Sequence, residues 1–246
     1  MNSNILRKAG KFMLRCIGVV SIIVIIYLAT LFFPQPFFAH KVTVNNITVY
    51  SDESLPVEKI TNIIESAESN IKTSKLYDAA TKHRIFIANN NTRWTYFTTF
   101  YSKVGGLNYV IFNHNIFLRK ADVSDNRLYG PSGSKVAGER TLDYFMAHEI
   151  SHTLEFQSMS LYKYPLKTNW VLEGYCEYIA YGSESYEVAL KKLQTANEPE
   201  STKYYTRVRT IVAYMLEREQ LNISDIWSKL GEYDYWLAKA VPTATD

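Results

Sequence analysis

Cysteine is nearly absent. The 246 residues hold two, Cys16 and Cys176, in segments so different in character that no bond between them is expected. A disulfide framework of the kind that staples small secreted domains is therefore excluded. The fold has to stand on a hydrophobic core. Internal repeats and low-complexity tracts are missing too, which argues against solenoids and disordered arrays. Beyond residue 40 no lysine- and arginine-rich stripe interleaved with aromatics occurs, so no nucleic-acid partner is expected. Acidic residues are missing from the first 40 positions, where Arg7, Lys8, Lys11 and Arg15 stand. That local absence explains the net charge of +3. Setting the four cations aside leaves 23 basic against 24 acidic residues.

Directly after the four cations comes an uncharged run, CIGVVSIIVIIYLATLFF, residues 16–33. About 18 apolar residues suffice to cross a bilayer as a helix. A cleaved signal peptide has a shorter apolar region, ~7–15 residues, followed by small residues at the cut. Here the run ends in FFPQPFFAH, which offers only a poor site before His40. The favoured reading is an uncut signal anchor, with a cleaved signal as the alternative. Because the cations precede the span, the N-terminus is expected in the cytoplasm and the remainder outside it, periplasmic or extracellular. The chain divides accordingly into residues 1–39, cytoplasmic N-terminus and transmembrane anchor, and residues 40–246, an extracytoplasmic domain. Cys16 then lies in the span and Cys176 in the exported part. The exported part is long enough to bury a sizeable core.

Within it, KVTVNNITVY (41–50) alternates apolar and polar residues and reads as a strand or short hairpin. A helix begins at Pro56, with Val57, Ile60, Ile64, Ala67 and Ile71 on one face. RIFIA (84–88) reads as a short strand closed by the turn-prone NNNT, and GGLNYVIF (105–112) as another strand. Residues 122–138 are rich in Gly, Ser, Asp and Pro and read as a loop. From Glu139 onward the signals are helical. Residues 204–220 place Val208, Ile211, Val212, Met215 and Leu216 at helical spacing, and a further helix is expected over Ser224–Leu230. Strands with one helix, then helices, make an α+β pattern: a small mixed sheet followed by a helical subdomain, preceded by one transmembrane helix.

Two of the five histidines stand four apart in AHEISHTLEF (147–156), within the helix expected from Glu139. At that spacing His148 and His152 share a helix face and can point at one ion. Glu149 is a quarter-turn away, able to avoid the metal yet reach water beside it. Two neutral imidazoles that hold zinc and a carboxylate that takes the proton of the attacking water are the logic of HExxH. The bland alternative is a surface helix with two solvated histidines. Catalytic zinc needs a third protein ligand and an open position. NWVLEGYCEYIAYG (169–182) offers Glu173 as that ligand, and Glu177, one turn on, as the acceptor of a ligand histidine's other ring N–H. The stretch SMSLYKYPLKT between the two helices reads as a return loop around Pro165.

HEISH followed by WVLEGYCEYIA resembles the gluzincin metallopeptidases, which carry HExxH and then a helix of the type W-L-x-E-G-x-x-E-Y. The likeness is greatest to small peptidase-MA-like membrane and periplasmic proteins and to the aminopeptidase-N-type core. It covers residues 140–181. It implies a zincin (thermolysin-like) fold, one zinc ion per chain held by His148, His152 and Glu173, and Glu149 as base. It also implies a sheet edge that pairs with peptide substrate, here Gly106, Leu107 and Asn108. An interior strand is the equal alternative for that stretch. A tyrosine that stabilises the oxyanion is implied at Tyr205, with Tyr204 next. Two departures stand out. The spacer between the motifs is longer than the aminopeptidase type uses, and GGLNYVIF occupies the place of the G-x-M-E-N motif that holds a peptide's free amine.

Other candidates are plainer. Cys176 reads as a packed thiol rather than a fourth ligand. His40, His83 and His114 have no ligand spacing to anything. Arg207 and Arg209 read as surface residues, with a substrate carboxylate as the sharper option. Asn46, Asn90 and Asn222 begin N-x-S/T triplets, which matter only in a eukaryotic secretory setting. The expected function is a membrane-anchored zinc metallopeptidase acting on a peptide or protein substrate outside the cytoplasm. The alternative is a non-catalytic binding module on a peptidase fold at the membrane surface. Glu149 separates the two, since a structural zinc site needs no base.

Overall fold

The computed structural model describes residues 3–101, 103–110, 114–159, 164, 169–195, 197, 199–228 and 232–242. Helix α1 (Ser3–Phe32) leads to strands β1 (His40–Val44) and β2 (Ile47–Ser51), helix α2 (Val57–Ile71), strand β3 (His83–Ile87) and helix α3 (Asn91–Thr98). Strands β4 (Gly106–Tyr109), β5 (Asn115–Leu118), β6 (Ala121–Asp122) and β7 (Arg127–Leu128) come next. Then come helices α4 (Leu142–Ser158), α5 (Asn169–Ala180), α6 (Tyr186–Thr195), α7 (Glu200–Glu217), α8 (Ile223–Ser228) and α9 (Tyr233–Ala240). The fold is α+β, a mixed sheet followed mostly by helices, with one apolar N-terminal helix. Within α1, Gly10–Phe32 is long and apolar enough to cross a membrane.

Among the described residues, five strands form one sheet in the order β1-β2-β3-β5-β4. The outer pairs, β1/β2 and β4/β5, are antiparallel, and β2/β3 and β3/β5 are parallel. Alternation along the strands splits the core in two. Ile47, Val49, Ile85, Ile87, Ile116 and Leu118 face α2 and α4 in the main core. Phe86, Ala88 and Phe117 point to the other face, against Trp94 and Phe97 of α3 and against Leu31 and Phe38. After Arg84, RIFIA is apolar throughout because Ile85, Phe86, Ile87 and Ala88 are buried on both faces of the sheet, as the inner strands of parallel sheets are.

Several expectations need correction. NNNT does not merely close a strand. The Asn90 side chain accepts hydrogen bonds from the backbone of Thr92 (2.9 Å) and Arg93 (3.2 Å) and starts α3. Asparagine serves turns and N-caps by the same side-chain-to-backbone bond, so sequence alone does not tell them apart. Val57 lies exposed at the first turn of α2, and Ile63 is buried instead. The loop at 122–138 contains β7 and its pairing with β6. Strand β5 and helix α6 had no sequence signal read for them. The end of the expected strand 105–112, the end of the expected helix over Ser224–Leu230, and most of the return loop with Pro165 lie outside the described residues.

The last turns of α1 dock on the domain. Tyr27, Thr30 and Leu31 of the helix and Pro34 just after it, at i, i+3, i+4 and i+7, are covered, Phe32 is half-buried, and residues 10–26, 28 and 29 are exposed. The Asn115 side chain donates to the Leu31 carbonyl at 2.7 Å and the Phe32 carbonyl at 3.2 Å, closing two of the carbonyls a helix end leaves open.

Candidate metal centre

Helix α4 carries the two histidines, and its core face explains its position. Leu142, Met146, Ile150 and Leu154 are buried at spacings of four. Its start is pinned through Asp143, which accepts from Ser66 of α2 at 2.5 Å and from Asn126 at 2.8 Å. Helix α5 packs on α4 and α7. At Gly174 a Cβ would stand 2.7 Å from the Val208 carbonyl oxygen and 2.7 Å from Val212 Cγ2, so only glycine allows this approach of α5 to α7. That approach brings Glu173 and Tyr205 to the same cleft.

His148, His152 and Glu173 converge. One ligand atom of each lies within 4.8 Å of the others. Glu173 Oε2 is 3.4 Å from His148 Nε2, and Glu173 Oε1 is 3.8 Å from His152 Nε2. With bonds of about 2.1 Å, the ligands of a tetrahedral zinc ion stand about 3.4 Å apart. The spacing and the donor chemistry, two imidazoles and a carboxylate, therefore fit zinc. Both Nε2 atoms face Glu173, and both Nδ1 atoms face buried carboxylates. His148 Nδ1 is 3.2 Å from Glu177 Oε1, though off the line of the ring N–H, so the pair is ionic contact more than hydrogen bond. His152 Nδ1 is 3.1 Å from Glu155 Oε2. Glu177 also accepts from the Tyr144 hydroxyl and lies 3.6 Å from Arg140 Nη2.

The electrostatics are set by this enclosure. Burial works against a charged His148, but the Glu173 and Glu177 carboxylates outweigh it and raise its pKa well above the ordinary value. Burial likewise opposes charge on Glu173, but His148, His152 and Arg140 pull its carboxyl down to about 2. Burial raises the Glu149 carboxyl, with the two histidines acting the other way. Glu155 is raised by burial to about 7 despite its histidine.

Glu149 sits under the sheet edge. A Cβ on Gly106 would fall 2.5 Å from Glu149 Oε1. Among the described residues, strand β4 is the edge of the sheet rather than an interior strand. The Asn108 amide is spent on α4, donating to the Glu149 carbonyl at 2.5 Å and to Thr153 Oγ1 at 2.8 Å. Gly106, Leu107, Glu149, Glu173 and Tyr205 line one cleft of about 620 Å³ with the two histidines. The Tyr205 ring lies 6.5 Å from that of His148, with Tyr204 packed beside it. Burial first, then Glu173 and Glu177, push the Tyr205 hydroxyl up to about 12, so it keeps its proton at neutral pH.

Cys176 is buried, 3.2 Å from His152 Nδ1 and 3.4 Å from Glu155 Oε2. His152, Glu155 and Cys176 thus form a second close grouping, and it lies on the Nδ1 side of His152. Burial, then the Glu155 carboxylate beside it, raises the thiol well above its ordinary pKa. Arg207 pairs with Glu200 at 2.7 Å. Arg209 is not a surface residue: it is buried, with its guanidinium 3.8 Å over the Tyr181 ring. Three residues at the centre escaped the sequence reading. Glu155, three positions after His152, had a helical-spacing signal that could have found it. Arg140 and Tyr144 had none. Arg140 stands 4.7 Å over the Tyr205 ring. Compared with known proteins, the chain matches no family model, and no curated protein matches it either.

Proposed function

We propose that the chain is a membrane-anchored zinc metallopeptidase of gluzincin type with a zincin-like catalytic domain, 40–246, outside the cytoplasm. One observation carries the reading: His148, His152 and Glu173 converge while Glu149 stands free of that set in the same cleft. A structural zinc site would have four protein ligands and no need of Glu149. His148, His152 and Glu173 would hold one zinc ion per chain, which supplies Lewis acidity toward the scissile carbonyl and toward water.

The chain's own residues do the rest. Glu177 and Glu155 hold the two imidazoles by their Nδ1 sides, so that both Nε2 atoms stay directed at the centre. A peptide laid along β4 would present its backbone to the edge formed by Gly106, Leu107 and Asn108. Glu149 accepts the proton of the attacking water and passes it to the leaving amine. The Tyr205 hydroxyl donates to the oxyanion, and Arg140, stacked on Tyr205 and near Glu177, fixes that ring.

The test is Glu149→Gln in the full chain, zinc-loaded, against wild type on a set of fluorogenic peptides. Cleavage is expected to fall ~10²–10⁴-fold with zinc content unchanged. Equal rates in the two proteins would replace this reading with the binding-module one.

A further inference from the structure

We propose that α3 and the turn after it are seated in the surface of the bilayer that α1 crosses, so that the cleft meets polypeptide held at that membrane. The inference deepens the peptidase reading by naming its substrate class, and it rests on that reading for the second half.

The argument is one of depth. Tyr27 lies within the uncharged run that ends at Phe33. Six residues of helix put it about 9 Å inside the end of that run. The Tyr27 hydroxyl donates to the Tyr96 carbonyl at 3.1 Å and also contacts Thr99 Oγ1, and the two tyrosine rings meet edge-on at 5.4 Å. Thr30 Oγ1 is 2.9 Å from the Tyr96 hydroxyl. The domain therefore does not hang below the anchor on a linker. Its helix α3 lies level with the last two turns of the span. Residues at that level stand at the boundary of headgroup and hydrocarbon, where tyrosine is favoured.

The composition of this face agrees. Phe33, Phe37, Tyr96 and Tyr101 are exposed around the docked helix, Tyr101 at 60% and Phe33 at 64%. Phe37 packs on Tyr96 and Phe97, continuing the patch from the helix end onto the domain. The occupant this face fits is the lipid interface, because the patch is continuous with the apolar span and shares its depth.

The cleft is tied to the same face. From Tyr101 the chain needs five residues to reach Gly106, at most ~18 Å, and Gly106 lies against the Glu149 carboxylate. At the other end of β4, Tyr109 pairs with Asn115, which holds the end of α1. An extended polypeptide covers ~20 Å in about six residues. The substrate class is thus a juxtamembrane segment of a membrane-held polypeptide, cut within about ten residues of its span.

The experiment uses the full chain in phosphatidylcholine vesicles, with Cys16→Ser and a spin label at Tyr101→Cys, Tyr96→Cys as a second position, and Lys59→Cys on α2 as the reference on the opposite sheet face. The labels at 101 and 96 are expected to collide with oxygen and to be shielded from an aqueous nickel chelate, and the label at 59 to show the reverse. Nickel accessibility at 101 and 96 equal to that at 59 would overturn the seating. In the second arm, one peptide sequence that the enzyme cleaves is offered free, or as the stretch beside a single span in the same vesicles. The tethered form is expected to be cut at least tenfold faster. Equal rates would overturn the substrate class. Cleavage of neither form, nor of any free peptide, would refute the peptidase reading instead, while the labels still decide the seating.

Discussion

Gly106→Ala tests the site through a residue that carries no chemistry. The added Cβ would stand 2.5 Å from Glu149 Oε1 and 2.9 Å from Cδ and Cγ of the same side chain. Ordinary contact begins near 3.4 Å. The carboxylate oxygen therefore has to retreat by about 0.9 Å, or β4 has to lift by as much. Misplacing a catalytic group by about 1 Å can cost ~10²-fold, so kcat is expected to fall about a hundredfold. The three atoms nearest the new methyl all belong to Glu149 and none to His148, His152 or Glu173, so zinc content should stay at wild-type level. Crowding of this kind costs ~1–3 kcal/mol of stability, a modest fall in Tm. The assay is steady-state cleavage of one fluorogenic peptide with metal analysis on the same samples, repeated in a Glu149→Gln background. There the additional loss should vanish, because the group being displaced no longer acts. A Gly106→Ala enzyme with wild-type kcat would refute the placement of Glu149 as base beneath the strand.

Three further outcomes are expected. Chelation should lower the Tm of the wild type, and of a His148→Ala, His152→Ala double variant not at all; an equal drop in both would place the metal elsewhere. Glu155→Gln and Glu177→Gln should each weaken zinc binding by ~10–100-fold, read by competition with a chelator, and unchanged affinity in both would show that the carboxylates do not orient the histidines. Both ring nitrogens of His83 are buried without a hydrogen-bond partner among the described residues, and burial, then His114, lowers its pKa to about 4. The unfolded chain binds a proton there near pH 6.5, so stability is full above that pH and falls as pH drops toward 4. The loss amounts to about 3 kcal/mol at 1.36 kcal/mol per unit. His83→Asn should flatten that part of the urea-denaturation profile, and an unaltered slope would refute the assignment.

How much of this was legible without coordinates differs by residue. His148, Glu149 and His152 share one helix turn, where spacing alone sets which side chains are neighbours. Glu155 obeys the same rule and was readable in principle. Glu173 and Glu177 were readable as a pair on one helix, because four residues fix a common face. The amphipathic face of α7 was readable too: Val208, Ile211, Val212 and Met215 are all buried. Helix α3 was not. Its sequence NTRWTYFT has little amphipathic rhythm, because an aromatic residue, Tyr96, stands on its exposed side as Trp94 and Phe97 do on its buried one. Strand β5, four consecutive buried residues, lacks the alternation that marks a half-exposed strand.

The sequence by itself determined the local periodicities, and with them the α+β order, the apolar span and the relative placement of groups within one helix. Only the tertiary structure decided what depends on contacts between distant segments. It brought Glu173 of α5 to the histidines of α4, set Gly106 against Glu149, buried Arg209, and stacked Arg140 over Tyr205. It also bound the end of α1 to Tyr96 and Asn115, more than sixty positions away. The physical reason is that helix and strand periods are written in neighbouring residues, whereas the approach of two elements is fixed by the packing of all the side chains between them.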